Sequence, residues 1–165
     1  TGIRFLKESK AHAVKLEGGI RVVEQIKALV KYGIPVFGHL GMTPQSVNAF
    51  GGFKVQGRAD AGEAILADAK ALQDAGCCAI VLELIPSELA ERITSELSIP
   101  IIGIGAGVKC DAQVLVWNDL MGLTEKPPKF ARKYRNLREE ISAGVKEWIT
   151  DVENGTFPSE SESFH

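Results

Sequence analysis

The stretch Cys77-Cys78-Ala79-Ile80-Val81-Leu82-Glu83 is an almost unbroken apolar run that closes on a carboxylate. A strand with no polar face suits a parallel sheet covered on both sides, so this run directs the chain toward the α/β class. The same pattern recurs. Residues 13–17 run into Gly18-Gly19, Val36-Phe37-Gly38-His39-Leu40 closes on Gly41, and 101–104 dissolves into Gly105-Ala106-Gly107. Residues 114–117 supply a fifth short apolar run. Helical spacing fills the intervals. Val22, Val23, Ile26, Leu29 and Val30 share a face before Gly33, and Ile65, Leu66, Ala69 and Leu72 share one within 61–75. Leu89, Ala90, Ile93 and Leu97 follow Ser87, whose hydroxyl is placed to cap the first turn.

At the ends, 3–10 reads as the last turns of an amphipathic helix, 130–134 as a short basic helix after Pro127-Pro128, and Leu137 to Val152 as a long amphipathic helix. Between the second strand and the next helix lies a glycine-punctuated segment, 42–57, with one helical turn expected near 46–50. Connections of that length often act as lids. Five strands alternating with helices imply a parallel sheet, whose ligands bind at the C-terminal ends of the strands. By length, an open doubly wound sheet fits better than a closed (β/α)8 barrel, which typically needs about 250 residues.

Composition narrows the partner. Of 165 residues 45% are hydrophobic and 24% charged, as in one globular domain, and a net charge of −2 with scattered Lys and Arg argues against nucleic acid. A small molecule is the default ligand. The apolar runs are too short for a membrane span and no leader opens the chain, so a cytoplasmic location is expected. Cys77, Cys78 and Cys110 form neither a CxxC pair nor an even disulfide framework.

Four ionisable residues fall at strand ends. Lys15 and Glu17 point to one face because side chains alternate along a strand, and His39 and Glu83 occupy equivalent ends of the next two strands. Each has a plain structural reading: Lys15 and Glu17 as a solvated ion pair, His39 as a packed core histidine, Glu83 as a carboxylate satisfied by loop amides. Their convergence favours a site. A carboxylate in an apolar strand can serve as a base, a lysine can hold an anionic substrate, and Glu17 offers one hard oxygen to Mg²⁺. Gly103-x-Gly105-x-Gly107 is not a dinucleotide fingerprint, since Val108 stands where the third glycine is required.

Val14-Lys15-Leu16-Glu17-Gly18-Gly19, Gly38-His39-Leu40-Gly41-Met42-Thr43-Pro44-Gln45, Val55-Gln56-Gly57-Arg58, Leu82-Glu83 and Ile102-Gly103-Ile104-Gly105-Ala106-Gly107 together resemble the ketopantoate hydroxymethyltransferase family. The likeness continues through Asp119, Pro128-Lys129-Phe130, Tyr134 and Phe157-Pro158 to Ser163-Phe164-His165. It implies a Mg²⁺-dependent (β/α)8 TIM barrel. Such an enzyme transfers a hydroxymethyl group from 5,10-methylenetetrahydrofolate to 3-methyl-2-oxobutanoate, giving 2-dehydropantoate on the way to pantothenate and coenzyme A. It also implies a cytoplasmic homo-oligomer, a decamer in the family. By motif, Lys15 and His39 would bind the 2-oxoacid, Glu17 would belong to the metal site and Glu83 would accept the proton. Ala112 replaces a usual glycine and Met42 a usual leucine.

The resemblance places this chain on strands four to eight. The expectation is an incomplete barrel over 1–153 with a C-terminal tail at 154–165, lacking three strands and the two aspartates that complete the metal site. Its open sheet edges would leave the isolated chain unstable, aggregated or completed by a partner. Two other readings stand beside it: another Mg²⁺-dependent barrel that forms enolates of 2-oxoacids, of the lyase and mutase kind, or a non-catalytic barrel fragment that only oligomerises.

Overall fold

The structure, a computed structural model, describes residues 1–49 and 51–164; Phe50, at the end of the expected 46–50 turn, and His165, in the C-terminal motif, lie outside the described residues. The chain divides into two compact units, Thr1–Val114 and Leu115–His165.

The first unit alternates helix and strand: α1 (Gly2–Glu8), β1 (Val14–Glu17), a 3-10 turn (Ile20–Val22), α2 (Val23–Lys31), β2 (Val36–Gly41), a 3-10 turn (Pro44–Ser46), α3 (Ala61–Asp74), β3 (Ala79–Glu83), α4 (Ser87–Glu96), β4 (Ile101–Ile104) and β5 (Ala112–Gln113). All five strands are parallel and lie in the order β1-β2-β3-β4-β5. No strand returns to the other side of its predecessors, so the sheet has no reversal point of the doubly wound kind.

The helices confirm this winding. Ile26 of α2, Leu66, Ala69 and Leu72 of α3, and Leu89, Ala90 and Ile93 of α4 share one buried cluster with Val36, Leu40, Ile80, Leu82 and Ile101. Alternation and register put those strand residues on one face of the sheet. Gly38 lies on the same face, where a Cβ would stand 2.8 Å from the Leu72 side chain. The three helices therefore cover a single face. The other face carries Lys15, Glu17, Phe37, His39, Val81, Glu83, Ile102 and Ile104, and Phe37, Val81 and Ile102 are only half-buried. The cover expected on both faces of β3 is supplied by helices on one.

Local chemistry accounts for the ends. After α2, Gly33 takes φ +73, the left-handed conformation that glycine adopts without steric cost, and the amides of Gly33 and Ile34 bond back to Val30 and Leu29. Asp111 accepts the amide of Ile101 at 2.8 Å and fixes the start of β4. Ser87 does not cap α4. Pro86 holds the N-cap position in extended geometry, which leaves Ser87 one residue too late, inside the helix and without a side-chain cap bond.

Three further expectations shift. The fifth strand is Ala112–Gln113 rather than 114–117: Val114 still donates to the carbonyl of Gly103, but Val114, Val116 and Trp117 are exposed, so no burial extends the strand. The helical turn near 46–50 is instead the 3-10 turn Pro44–Ser46, started by the pre-set φ of Pro44. Residues 130–134 form no helix; a turn closes from Ala131 to the carbonyl of Pro128, and the Arg132 guanidinium lies 5.9 Å from the centroid of the Tyr134 ring.

The second unit holds the four-residue α5 (Trp117–Leu120) and α6 (Leu137–Asn154). Amides of Tyr134 and Leu137 bond the carbonyls of Leu120 and Met121, tying the two helices' ends together. Ile141, Val145, Trp148, Ile149 and Val152 form a largely exposed apolar stripe on α6. Among the described residues, no helix is long and apolar enough to cross a membrane.

Candidate active site

Register decides what meets at the C-terminal edge of the sheet. Glu17 pairs with His39 across β1 and β2, and Gly41 with Glu83 across β2 and β3. Glu83 therefore stands two residues further along the strand direction than His39, on the same face, within diagonal reach. Lys15 and Glu17 follow on that face from β1.

The four side chains form a continuous chain of contacts. Lys15 Nζ donates to Glu17 Oε1 at 3.2 Å and to His39 Nδ1 at 2.9 Å, and His39 Nδ1 lies 3.6 Å from Glu17 Oε1. On its far side His39 Nε2 is 3.2 Å from Glu83 Oε2. Their exposures separate their roles. The Lys15 side chain is 46% exposed, against 7% for Glu17, 4% for His39 and 13% for Glu83. Lys15 is thus the half-exposed member of an otherwise enclosed row, with its ammonium turned onto Glu17 and His39. All four residues expected from the sequence are thus brought together, and none is displaced to another surface.

Backbone groups that sequence patterns do not announce hold the row in place. Glu17 Oε2 accepts the amide of Gln45, from the loop after β2, at 3.0 Å. The carbonyl of Glu83 accepts the amide of Met42 at 2.8 Å, and the amide of Leu84 donates to Ile104 at 2.9 Å. Leu84 itself sits at φ +49, uncommon for a branched side chain, and its carbonyl accepts the amide of Gln56 from the glycine-rich segment. Gly41 permits this crossing: it has φ +89, and a Cβ there would stand 2.2 Å from the Glu83 carbonyl oxygen. Close by, Asp68 of α3 accepts the amide of Ile20 at 2.8 Å, anchoring the turn after Gly18-Gly19.

Among the described residues, no group of three or more His, Cys, Asp or Glu side chains is set to hold a metal ion. Both oxygens of Glu17 are engaged, Oε1 by Lys15 Nζ and Oε2 by the amide of Gln45, so the carboxylate is held as an acceptor within the row.

Fold and site together define an α/β protein with an acid–base cluster at the C-terminal edge of a parallel sheet. The family model described as ketopantoate hydroxymethyltransferase matches residues 1–160, and the chain belongs to that family. It is 56% identical over 163 residues to 3-methyl-2-oxobutanoate hydroxymethyltransferase of Syntrophus aciditrophicus, covering 98% of this chain and 60% of that one. With the enzyme of the same name from Rhodococcus jostii the identity is 54% over 162 residues, covering 98% and 56%. The chain thus spans about three fifths of the length of the curated relatives it matches. Among solved structures, the Amycolatopsis orientalis BexX/CysO complex aligns with a TM-score of 0.52 at 16% identity, covering 96% of this chain and 64% of that one. That likeness bears on the fold alone.

Proposed function

We propose that this chain carries the substrate-side part of a hydroxymethyltransferase site, acting on 3-methyl-2-oxobutanoate with 5,10-methylenetetrahydrofolate as one-carbon donor. The observation that carries the reading is the row Lys15–His39–Glu83, a 2.9 Å hydrogen-bond contact followed by a 3.2 Å approach, at the edge where parallel sheets bind ligands. Lys15, with a half-exposed side chain, brings a cation suited to the carboxylate of a 2-oxoacid. Glu83, beyond it on the same face, takes the proton from C3, and the carbanion so formed attacks the one-carbon unit. In the overall reaction a water supplies the hydroxyl oxygen and tetrahydrofolate leaves. Glu17 would serve Mg²⁺ as one ligand, the others coming from water, substrate oxygens and the aspartates expected from the resemblance. A bound Mg²⁺ supplies Lewis-acid polarisation of the 2-oxo group.

The same reading takes the five strands as an arc of a (β/α)8 barrel, strands four to eight. It is supported by the sequential strand order and by helices on one face only, which is how a barrel is wound. A cytoplasmic homo-oligomer belongs to this reading as well, and the exposed apolar stripe of α6 is compatible with self-association. The test is transfer of label from ¹³C-methylene tetrahydrofolate to 3-methyl-2-oxobutanoate, followed by ¹³C NMR. The expected result is a labelled hydroxymethyl carbon on 2-dehydropantoate. Cleavage or rearrangement of 2-oxoacids without any label transfer would overturn it in favour of a lyase or mutase.

A further inference from the structure

His39 is the most enclosed member of the row, its side chain 4% exposed, and it touches the other three. Lys15 Nζ has donors and no acceptor, so at 2.9 Å the ring nitrogen facing it, Nδ1, must be the accepting one. The ring proton then belongs on Nε2. Among the described residues, Nε2 is a buried side-chain nitrogen without an aligned hydrogen-bond partner, although Glu83 Oε2 lies 3.2 Å away. The distance suits a hydrogen bond and only the direction fails. The two atoms make no bond in the structure, and the bond requires the Glu83 carboxylate to turn toward Nε2 about its terminal torsion, which lies in a broad, soft well.

We propose that His39 is a positioning residue that acts through Glu83: Lys15 fixes the ring proton on Nε2, and that N–H steers one carboxylate oxygen of Glu83 while the other faces substrate. The assignment rests on the reading of Glu83 as the base. The row thereby couples the two ends of the site: Lys15, which meets the substrate's charge, also decides which ring nitrogen presents a hydrogen to the base.

Long-range ¹H–¹⁵N spectra of the imidazole in the full 165-residue chain, recorded without substrate at pH 7.5, read the tautomer directly. The expected pattern is a protonated Nε2 with an unprotonated Nδ1, and Lys15→Met is expected to weaken that preference. In assays of C3 proton exchange, His39→Asn is expected to lower kcat by ~10²-fold with KM little changed, as for a misplaced reacting group. His39→Gln, whose amide N–H reaches the Nε2 position, is expected to recover most of the loss. A proton on Nδ1, or on both nitrogens, in the wild-type chain would overturn the proposal. So would equal activity of the Asn and Gln variants, or an effect confined to KM. The spectrum needs no turnover, so a failure of the ring assignment is distinguishable from a failure of Glu83 as base.

Discussion

Glu17 and Lys15 are two residues apart on one strand, yet 7% of one side chain and 46% of the other meet solvent. The sequence made these residues legible because strand alternation and strand ends are local properties. The Gln45 amide that accepts no identity from its side chain, yet donates to Glu17, was not legible. Nor was the His39–Glu83 approach, which depends on the register offset between β2 and β3. Away from the site, burial pushes the Cys77 thiol up to about 11 from an ordinary 9.0, with its neighbour Cys78 adding to the effect. Between those values the unfolded chain releases a proton that the folded chain keeps. The folded state then binds more protons, and its stability falls as pH rises from about 9 to about 11. Urea unfolding at pH 8, 9.5 and 10.5 is expected to show a steeper loss in the wild type than in Cys77→Ala. Parallel curves would contradict this.

At the scale of elements, two glycines that look alike in the sequence should respond in opposite ways. Gly41 ends β2 at φ +89, with the Glu83 carbonyl 2.2 Å from where a Cβ would sit. Gly144 lies inside α6 with nothing within 4 Å of a Cβ. Gly41→Ala is expected to destabilise by more than ~1 kcal/mol and to displace Glu83, while Gly144→Ala is expected to stabilise by ~1 kcal/mol through helix propensity. Denaturant midpoints of the two variants provide the check. Strands β1 to β4 and helices α2, α3, α4 and α6 were legible because burial and periodicity agree along them. The fifth strand was not. Residues 114–117 have the composition of a strand, but Val114, Val116 and Trp117 are exposed, and pairing with β4 stops after Gln113 apart from the Val114 amide. The 130–134 segment failed for the complementary reason: its apolar and basic residues suit a helix, but a turn anchored on Pro128 uses the backbone first.

At the scale of the whole molecule, strand order carries the most information, and it was only partly legible. Length favoured an open doubly wound sheet, whereas the sheet runs in sequence order with α2, α3 and α4 on one face. This leaves β1 and β5 as edges and Phe37, Val81 and Ile102 half-buried on the uncovered face. Beside β1 an apolar groove of about 430 Å³ is lined by Ile3, Phe5, Leu16, Leu29, Tyr32 and Ile34. Free strand edges and apolar faces of this kind invite association. Sedimentation velocity of the 165-residue chain is expected to show concentration-dependent association or aggregation, and a monodisperse monomer across the micromolar range would contradict it.

On the function proposed above, the row at the strand ends removes a proton from a 2-oxoacid, with Glu83 as the base. The most direct measurement is loss of the C3 proton signal of 3-methyl-2-oxobutanoate in D₂O with Mg²⁺ present, with no folate required. Protein in which this chain is joined to the three strands and two aspartates expected from the resemblance is expected to exchange that proton, and Glu83→Gln in the same protein to slow the exchange by ~10²–10⁴-fold while keeping an unchanged circular dichroism spectrum. Exchange by Glu83→Gln at the wild-type rate would contradict the account.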